Sequence, residues 1–205
     1  MNITVIGVSG GSGSGKSVFI QDLKNKFRDE EVALISQDNY YKPRETQKLD
    51  HRGIRNFDLP YSIDLDEFTR DLQLLKEGYI VSREEYSFNN PLATPGSITV
   101  RPAPVILVEG LFIFSHRPIW DLLDLRVFIQ ASDSQRLSRR IVRDQMERNY
   151  PLEDVLYRYE HHVLPAYKAY IEPFHDKVDL IINNYTHYRP GMNVLEAYIR
   201  EQIRN

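Results

Sequence analysis

Between Ile3-Thr4-Val5-Ile6-Gly7-Val8 and the stretch from Val18 to Phe27 lies Gly10-Gly11-Ser12-Gly13-Ser14-Gly15-Lys16-Ser17. No other run limits the choice of fold as strongly. The segment before it is apolar and β-branched, the signature of a buried strand. The segment after it places apolar residues at 19, 20, 23 and 27, a helical spacing. Strand, glycine-rich turn and helix are the context that the G-x-x-x-x-G-K-[ST] pattern requires. Glycines let the backbone curl into a nest of N–H groups and admit phosphate oxygens where a Cβ would collide. The positive end of the helix dipole faces that nest. Lys16 then reaches the β- and γ-phosphates, and the Ser17 hydroxyl can attend Mg²⁺. A flexible Gly/Ser turn is the plainer reading, and the flanking elements argue against it. The run implies a nucleoside triphosphate, ATP or GTP, and leaves open what becomes of the γ-phosphate.

The 205 residues suffice for one domain, which at this size buries about 70% of its unfolded surface. A formal charge of −3 argues against a general nucleic-acid binder. The absence of cysteine excludes disulfides and thiolate metal sites and fits a reducing compartment. No apolar run approaches the ~20 residues that span a bilayer. The first strand begins within three residues of Met1, which leaves no room for a signal peptide. The expectation is a cytoplasmic enzyme with no membrane partner. A homo-oligomer is compatible with the sequence.

Val32-Ala33-Leu34-Ile35-Ser36 predicts a second parallel strand, ending in Gln37-Asp38-Asn39-Tyr40-Tyr41 where ligands bind in open α/β sheets. The polar stretch to Pro60 lacks periodicity and is long for an idle loop. A helix follows over 64–76, stopped by Gly78. Residues 79–88 and 97–101 predict a β-hairpin insertion (79–101) with a Pro/Gly-rich connection, Asn89-Asn90-Pro91 to Pro95-Gly96. Pro104 to Val108 reads as a buried strand delivering Glu109, 117–124 as a short helix, and Leu125 to Ile129 as a fourth strand. Ser132-x-x-Gln135 is a capping box opening a helix over 133–148. Pro151 opens another helix, which Pro165 is expected to kink or break. Val178 to Ile182 completes five strands, and a closing helix runs from Met192 to Ile203. The alternation predicts a single P-loop-type domain, an open parallel five-stranded sheet with helices on both faces.

Two carboxylates stand at strand ends. Asp38 could accept a hydroxyl proton from an acceptor or help hold Mg²⁺; a loop cap is the alternative. Glu109 sits where an acid meets Mg²⁺ directly or through water, and a lone buried structural carboxylate there would be costly. The 133–148 helix holds five arginines and no lysine, with 136, 140 and 143 on one face and 139 flanking it. A solvated amphipathic helix balanced by Asp144 and Glu147 is the plain reading. Arginine throughout favours a lid over phosphates, because its planar fork grips them bidentately. The histidines suggest little: His161 and His162 diverge by roughly 100° on a helix, a poor metal pair. The tyrosine-rich stretch 157–170 reads as packing. No N-K-x-D guanine-reading motif occurs, against a GTPase.

Taken together, these pieces resemble the uridine kinase family, in the phosphoribulokinase/uridine kinase group of P-loop kinases. The resembling segments are GVSGGSGSGKS (7–17), ISQDNYY (35–41), NFD (56–58), YSF (86–88), VEGLFIF (108–114), RLSRRIVRDQMER (136–148) and IEPFHDKVDLIINN (171–184), in the family's order. The resemblance implies that Asp38 is the catalytic base and that Ser17 and Glu109 attend Mg²⁺. It implies that Asp58 holds ribose hydroxyls and that Tyr41 and Tyr86 line the nucleoside pocket. Arg140 and Arg143 would bridge acceptor and phosphates, and Arg148 would belong to the lid over ATP.

The departures concentrate where the family reads the base. The usual Y-D-F-x-x-H is replaced by Tyr86-Ser87-Phe88-Asn89-Asn90-Pro91, without the histidine. E-R-G-R becomes Glu147-Arg148-Asn149-Tyr150, and a frequent later glutamine is Arg158. A site that loses hydrogen-bonding partners for a pyrimidine edge loses discrimination. The expectation is an ATP- or GTP-dependent, Mg²⁺-requiring kinase of a nucleoside 5′-hydroxyl, uridine first. The alternatives are a kinase of another small alcohol (a sugar phosphate, pantothenate or a modified nucleoside) or a catalytically silent nucleotide-binding regulator.

Overall fold

A computed structural model describes residues 3–86 and 96–204. Five parallel strands form the main sheet: β1 (Thr4–Ser9), β2 (Val32–Ser36), β5 (Val105–Glu109), β6 (Leu125–Gln130) and β7 (Leu180–Asn183), in the order β2-β5-β1-β6-β7. β3 (Val81–Glu84) and β4 (Ser97–Val100) pair antiparallel as a separate ribbon. The connection expected between them, Asn89-Asn90-Pro91 to Pro95-Gly96, lies outside the described residues as far as Pro95, as do residues 87 and 88 of the first expected strand.

The sheet is apolar on both faces because alternate residues face different helices. Val105 and Leu107 pack with Phe19, Ile20 and Leu23 of α1 (Lys16–Lys24) and with Leu195 and Ile199 of α7 (Arg189–Arg204). Ile106 and Val108 pack on the other face with Phe68, Leu72 and Leu75 of α2 (Leu65–Lys76). Strands buried on both faces read as the unbroken apolar runs seen in the sequence. α2 starts where Asp64 accepts the Glu67 N–H (2.9 Å), and the chain leaves it at Gly78, whose φ of 93° suits glycine.

α4 (Asp133–Met146) opens on the expected capping box: the Gln135 N–H donates to Ser132 Oγ, and the Ser132 N–H to Gln135 Oε1. Three helices differ from expectation, the closing one because it already begins at Arg189 and takes in Pro190 and Gly191. The 117–124 helix is one turn, α3 (Arg117–Trp120). Nor does Pro165 break its helix: α5 (Leu152–Arg158) continues through a π-helical turn (Tyr159–Val163) into α6 (Leu164–Tyr170). A wider i→i+5 turn just ahead of proline accommodates its missing N–H and its ring without ending the helix. No described helix is long and apolar enough to cross a membrane.

The β1 strand lies between β5 and β6, so the chain departs to both sides of it. Such a switch point opens a crevice at the strands' carboxyl ends. Register sets Val8 beside Glu109, and Glu109 beside Ser36, so the glycine-rich loop, Glu109 and the turn bearing Asp38 converge on that edge.

Candidate active site

The loop at 10–17 is held from outside. Gly13 (φ 79°) and Gly15 (φ 91°) adopt backbone that glycine tolerates, and a Cβ on Gly13 would run into the Arg136 carbonyl. Gly10, Gly11 and Ser14 complete the curl, with the Ser14 N–H donating to the Gly11 carbonyl at 3.0 Å. Asn184 Nδ2 donates to the Ser14 carbonyl (2.9 Å), and Arg139 Nη1 reaches the same oxygen (3.3 Å). Gly15 is the N-cap of α1 and offers no capping side chain, so the first-turn N–H groups stay available to an anion. Lys16 is buried, and Ser17 stands beside it facing the cleft.

Ser17 Oγ donates to Glu109 Oε2 (3.2 Å), and Ser36 Oγ to Glu109 Oε1 (2.9 Å). Burial pushes the Glu109 carboxyl up; nearby Lys16 and the two hydroxyls oppose the shift, and Asp38 adds to it. The Asp38 N–H donates back to Ser36 Oγ at 3.3 Å, which fixes the turn that aims Asp38 into the cleft. The oxygens of Ser17, Glu109 and Asp38 are hard donors that fit Mg²⁺. Among the described residues no three acids or histidines cluster as a metal cage. Mg²⁺ suits such a sparse set, since it keeps waters and phosphate oxygens as its other ligands.

A cleft of about 630 Å³ runs from this corner along α4. Within it Tyr41 and Tyr86 stack at 5.2 Å between ring centres, tilted 35°, with Phe57 6.3 Å from Tyr41. Asp58 lies beside them, 3.4 Å from Arg140 Nη1. Burial, with Asp38 and Asp58 close by, raises the Tyr41 phenol well above its ordinary value, so it stays neutral. Arg140 also donates to Ser12 Oγ (2.9 Å) and thus joins the loop to the Asp58 end.

The arginine helix divides by role. Arg140, Arg143 and Arg148 line the cleft, together with Tyr150 and Arg158. Burial lowers the Arg143 guanidinium, as do its like-charged neighbours Arg148 and Arg140, so an anion among them would relieve repulsion. Arg136 instead stacks 3.7 Å over the Tyr167 ring and pairs with Asp133 (2.7 Å), and Arg139 braces the loop carbonyls. One face of the helix therefore does not serve all of 136, 140 and 143 alike: Arg136 is spent on packing. Sequence reasoning took Asp144 only as charge balance on a solvated helix and missed that it is buried and paired to Arg140, Arg143 and Arg148. It also overlooked Asn184 and Ser36. Their only signal was a polar residue at the end of an apolar strand.

The five-stranded parallel fold, the loop and the charged cleft define a P-loop kinase, an ATP-dependent enzyme acting on a small molecule. The phosphoribulokinase/uridine kinase family model matches residues 5–188, and the chain belongs to that family. The chain is 34% identical over 198 residues to a uridine kinase of Brevibacillus brevis, covering 97% of this chain and 92% of that protein. Among solved structures, it is similar to a possible uridine kinase from Bacillus stearothermophilus (TM-score 0.62, 19% identity, 88% and 89% of the two chains). It is similar also to the phosphoribulokinase of Rhodobacter spheroides (TM-score 0.62, 16% identity, 89% and 70%). At those identities the structures support the shared fold.

Proposed function

We propose that the enzyme transfers the γ-phosphoryl group of ATP or GTP to the 5′-hydroxyl of a nucleoside, with uridine the first candidate. The observation that carries this reading is the tilted Tyr41–Tyr86 pair beside Asp58, lining the same cleft as Lys16. A flat base fits the aromatic pair, and vicinal ribose hydroxyls suit a carboxylate acceptor. Similarity to uridine kinases supports the same choice.

In this reading Asp38 orients the 5′-hydroxyl and takes its proton as the oxygen attacks phosphorus. The loop N–H groups and Lys16 hold the β- and γ-phosphates. Arg140, Arg143 and Arg148 neutralise the charge that spreads over the transferring group, with the helix at 133–148 acting as a lid. Ser17, Glu109 and Asp38 would hold Mg²⁺, which when bound offsets phosphate charge.

The test is ADP release with Mg-ATP, or GDP release with Mg-GTP, over a panel of nucleosides, sugars and sugar phosphates. Turnover with uridine or cytidine is expected. If both are inert while another alcohol is phosphorylated, the acceptor assignment falls and the phosphotransfer chemistry stands.

A further inference from the structure

Away from the reacting groups, one partly buried carboxylate joins two parts of the chain more than 100 residues apart. Asp50 accepts the Tyr157 hydroxyl at 2.8 Å and the His162 Nε2–H at 2.8 Å. It also accepts two N–H groups of its own loop, Arg52 (2.8 Å) and Ile54 (2.9 Å). Burial would raise this carboxyl, but the donors outweigh it and hold Asp50 well below the usual carboxylate range. The His162 side chain is 1% exposed. A fully desolvated imidazole engaged by one carboxylate is a built contact, not a surface coincidence.

Tyr157 and His162 are five residues apart, which in an α-helix would turn them about 140° from each other. The π-helical turn at Tyr159–Val163 corrects this, because an i→i+5 turn brings residues five apart towards one face. Their rings meet edge-on at 5.9 Å, and both reach the same carboxylate. Arg158 adds a second tie by donating from Nη1 to the Arg55 carbonyl at 2.9 Å.

The loop so gripped leads directly to the cleft. A bridge between Leu49 and Arg55 closes it, the Asn56 N–H donates to the Lys48 carbonyl (2.8 Å), and Asn56 Oδ1 accepts the Asp58 N–H (2.9 Å). We propose that Tyr157 and His162 are positioning residues for the acceptor. By clasping Asp50 they hold the 48–58 loop, and with it Asp58, against the helical segment that carries Arg158 into the cleft. The proposal rests on the reading of the Asp58 end as the acceptor site. It gives the π-turn a purpose, since without that turn one of the two donors would face away.

The test uses the full chain with Tyr157→Phe, His162→Leu, His162→Gln and Asp50→Asn, read by kinetics and by hydrogen exchange. Tyr157→Phe and His162→Leu should each raise the acceptor KM about tenfold while the KM for ATP stays within about twofold. His162→Gln, whose amide can reach the Nε2 position, should recover most of the loss. The Asp50→Asn/His162→Leu double variant should cost no more than the worse single change. Amides of 48–58 should exchange faster in Tyr157→Phe, which removes one hydroxyl and leaves the fold intact. Wild-type exchange there, or KM values for both substrates rising together, overturns the clasp. If the wild-type enzyme turns over no acceptor in the panel, the function proposed above falls, and exchange over 48–58 still decides the clasp.

Discussion

Asp144 Oδ2 lies 3.1 Å from Arg140 Nε, one helical turn earlier, and its other oxygen faces Arg143 (2.9 Å) and Arg148 (3.5 Å). A single carboxylate with 2% side-chain exposure thus gathers three guanidiniums at one wall of the cleft. Each arginine alone would repel the other two. Asp144→Asn keeps the shape and removes the charge. Breaking such a buried network should cost about 3–5 kcal/mol in urea denaturation. The KM for ATP should rise about tenfold as the arginines splay apart. An unchanged midpoint and KM would remove Asp144 from the site.

Asp38 and Lys16 should fail differently. Asp38→Asn leaves the phosphate loop intact, so ATP should bind with nearly wild-type affinity in calorimetry while kcat falls about 10²–10⁴-fold. Wild-type turnover would sink its role as base. Lys16→Ala strips a buried cation from the phosphates, so turnover should be lost to the assay floor.

Glu109 links stability to pH. Its carboxyl is raised in the folded protein, mainly by burial, so over the interval above the ordinary carboxyl value the folded state holds a proton that the unfolded state has released. The associated stability is therefore complete below that ordinary value and is lost as pH rises through the folded one. Glu109→Gln removes this contribution, and its unfolding free energy should vary less with pH over that interval. Mg²⁺ needs the ionised acid, so half-saturating Mg²⁺ in the wild-type assay should increase as the medium is acidified. An identical pH profile in the two proteins would show that Glu109 does not titrate there.

Asp58 and Tyr86 test the nucleoside. Tyr86→Ala should raise the acceptor KM by roughly 5–100-fold, the range for loss of one base–aromatic stack. Asp58→Ala should erase any preference for ribose over 2′-deoxyribose acceptors, because it removes the hydrogen-bond acceptor for the 2′-hydroxyl. A variant that still prefers ribose would put the sugar elsewhere.

The donor half of the site was legible because it is local in the chain. The strand, glycine turn and helix around Lys16 are contiguous, and Asp38 and Glu109 sit where apolar runs stop. The arginine helix was legible as an element facing the cleft, but not what Arg136 and Arg139 do in it. Arg136 and Arg139 look equivalent to Arg140 in sequence; only the placement of the loop, Tyr167 and Asn184 around the helix separates them. Pro165 was legible as a disturbance of its helix but not as a π-turn that keeps the helix continuous, a form that no local preference announces.

The sequence by itself determined the sheet, the phosphate loop and the class of chemistry, because periodicity and contiguous motifs encode contacts between near neighbours. Tertiary structure alone decided that Asp58 reaches Arg140 and that Asp50 meets Tyr157 and His162. Those pairings join charges and hydroxyls brought together from distant segments. Their strength depends on burial, which the fold creates and no short stretch of residues carries.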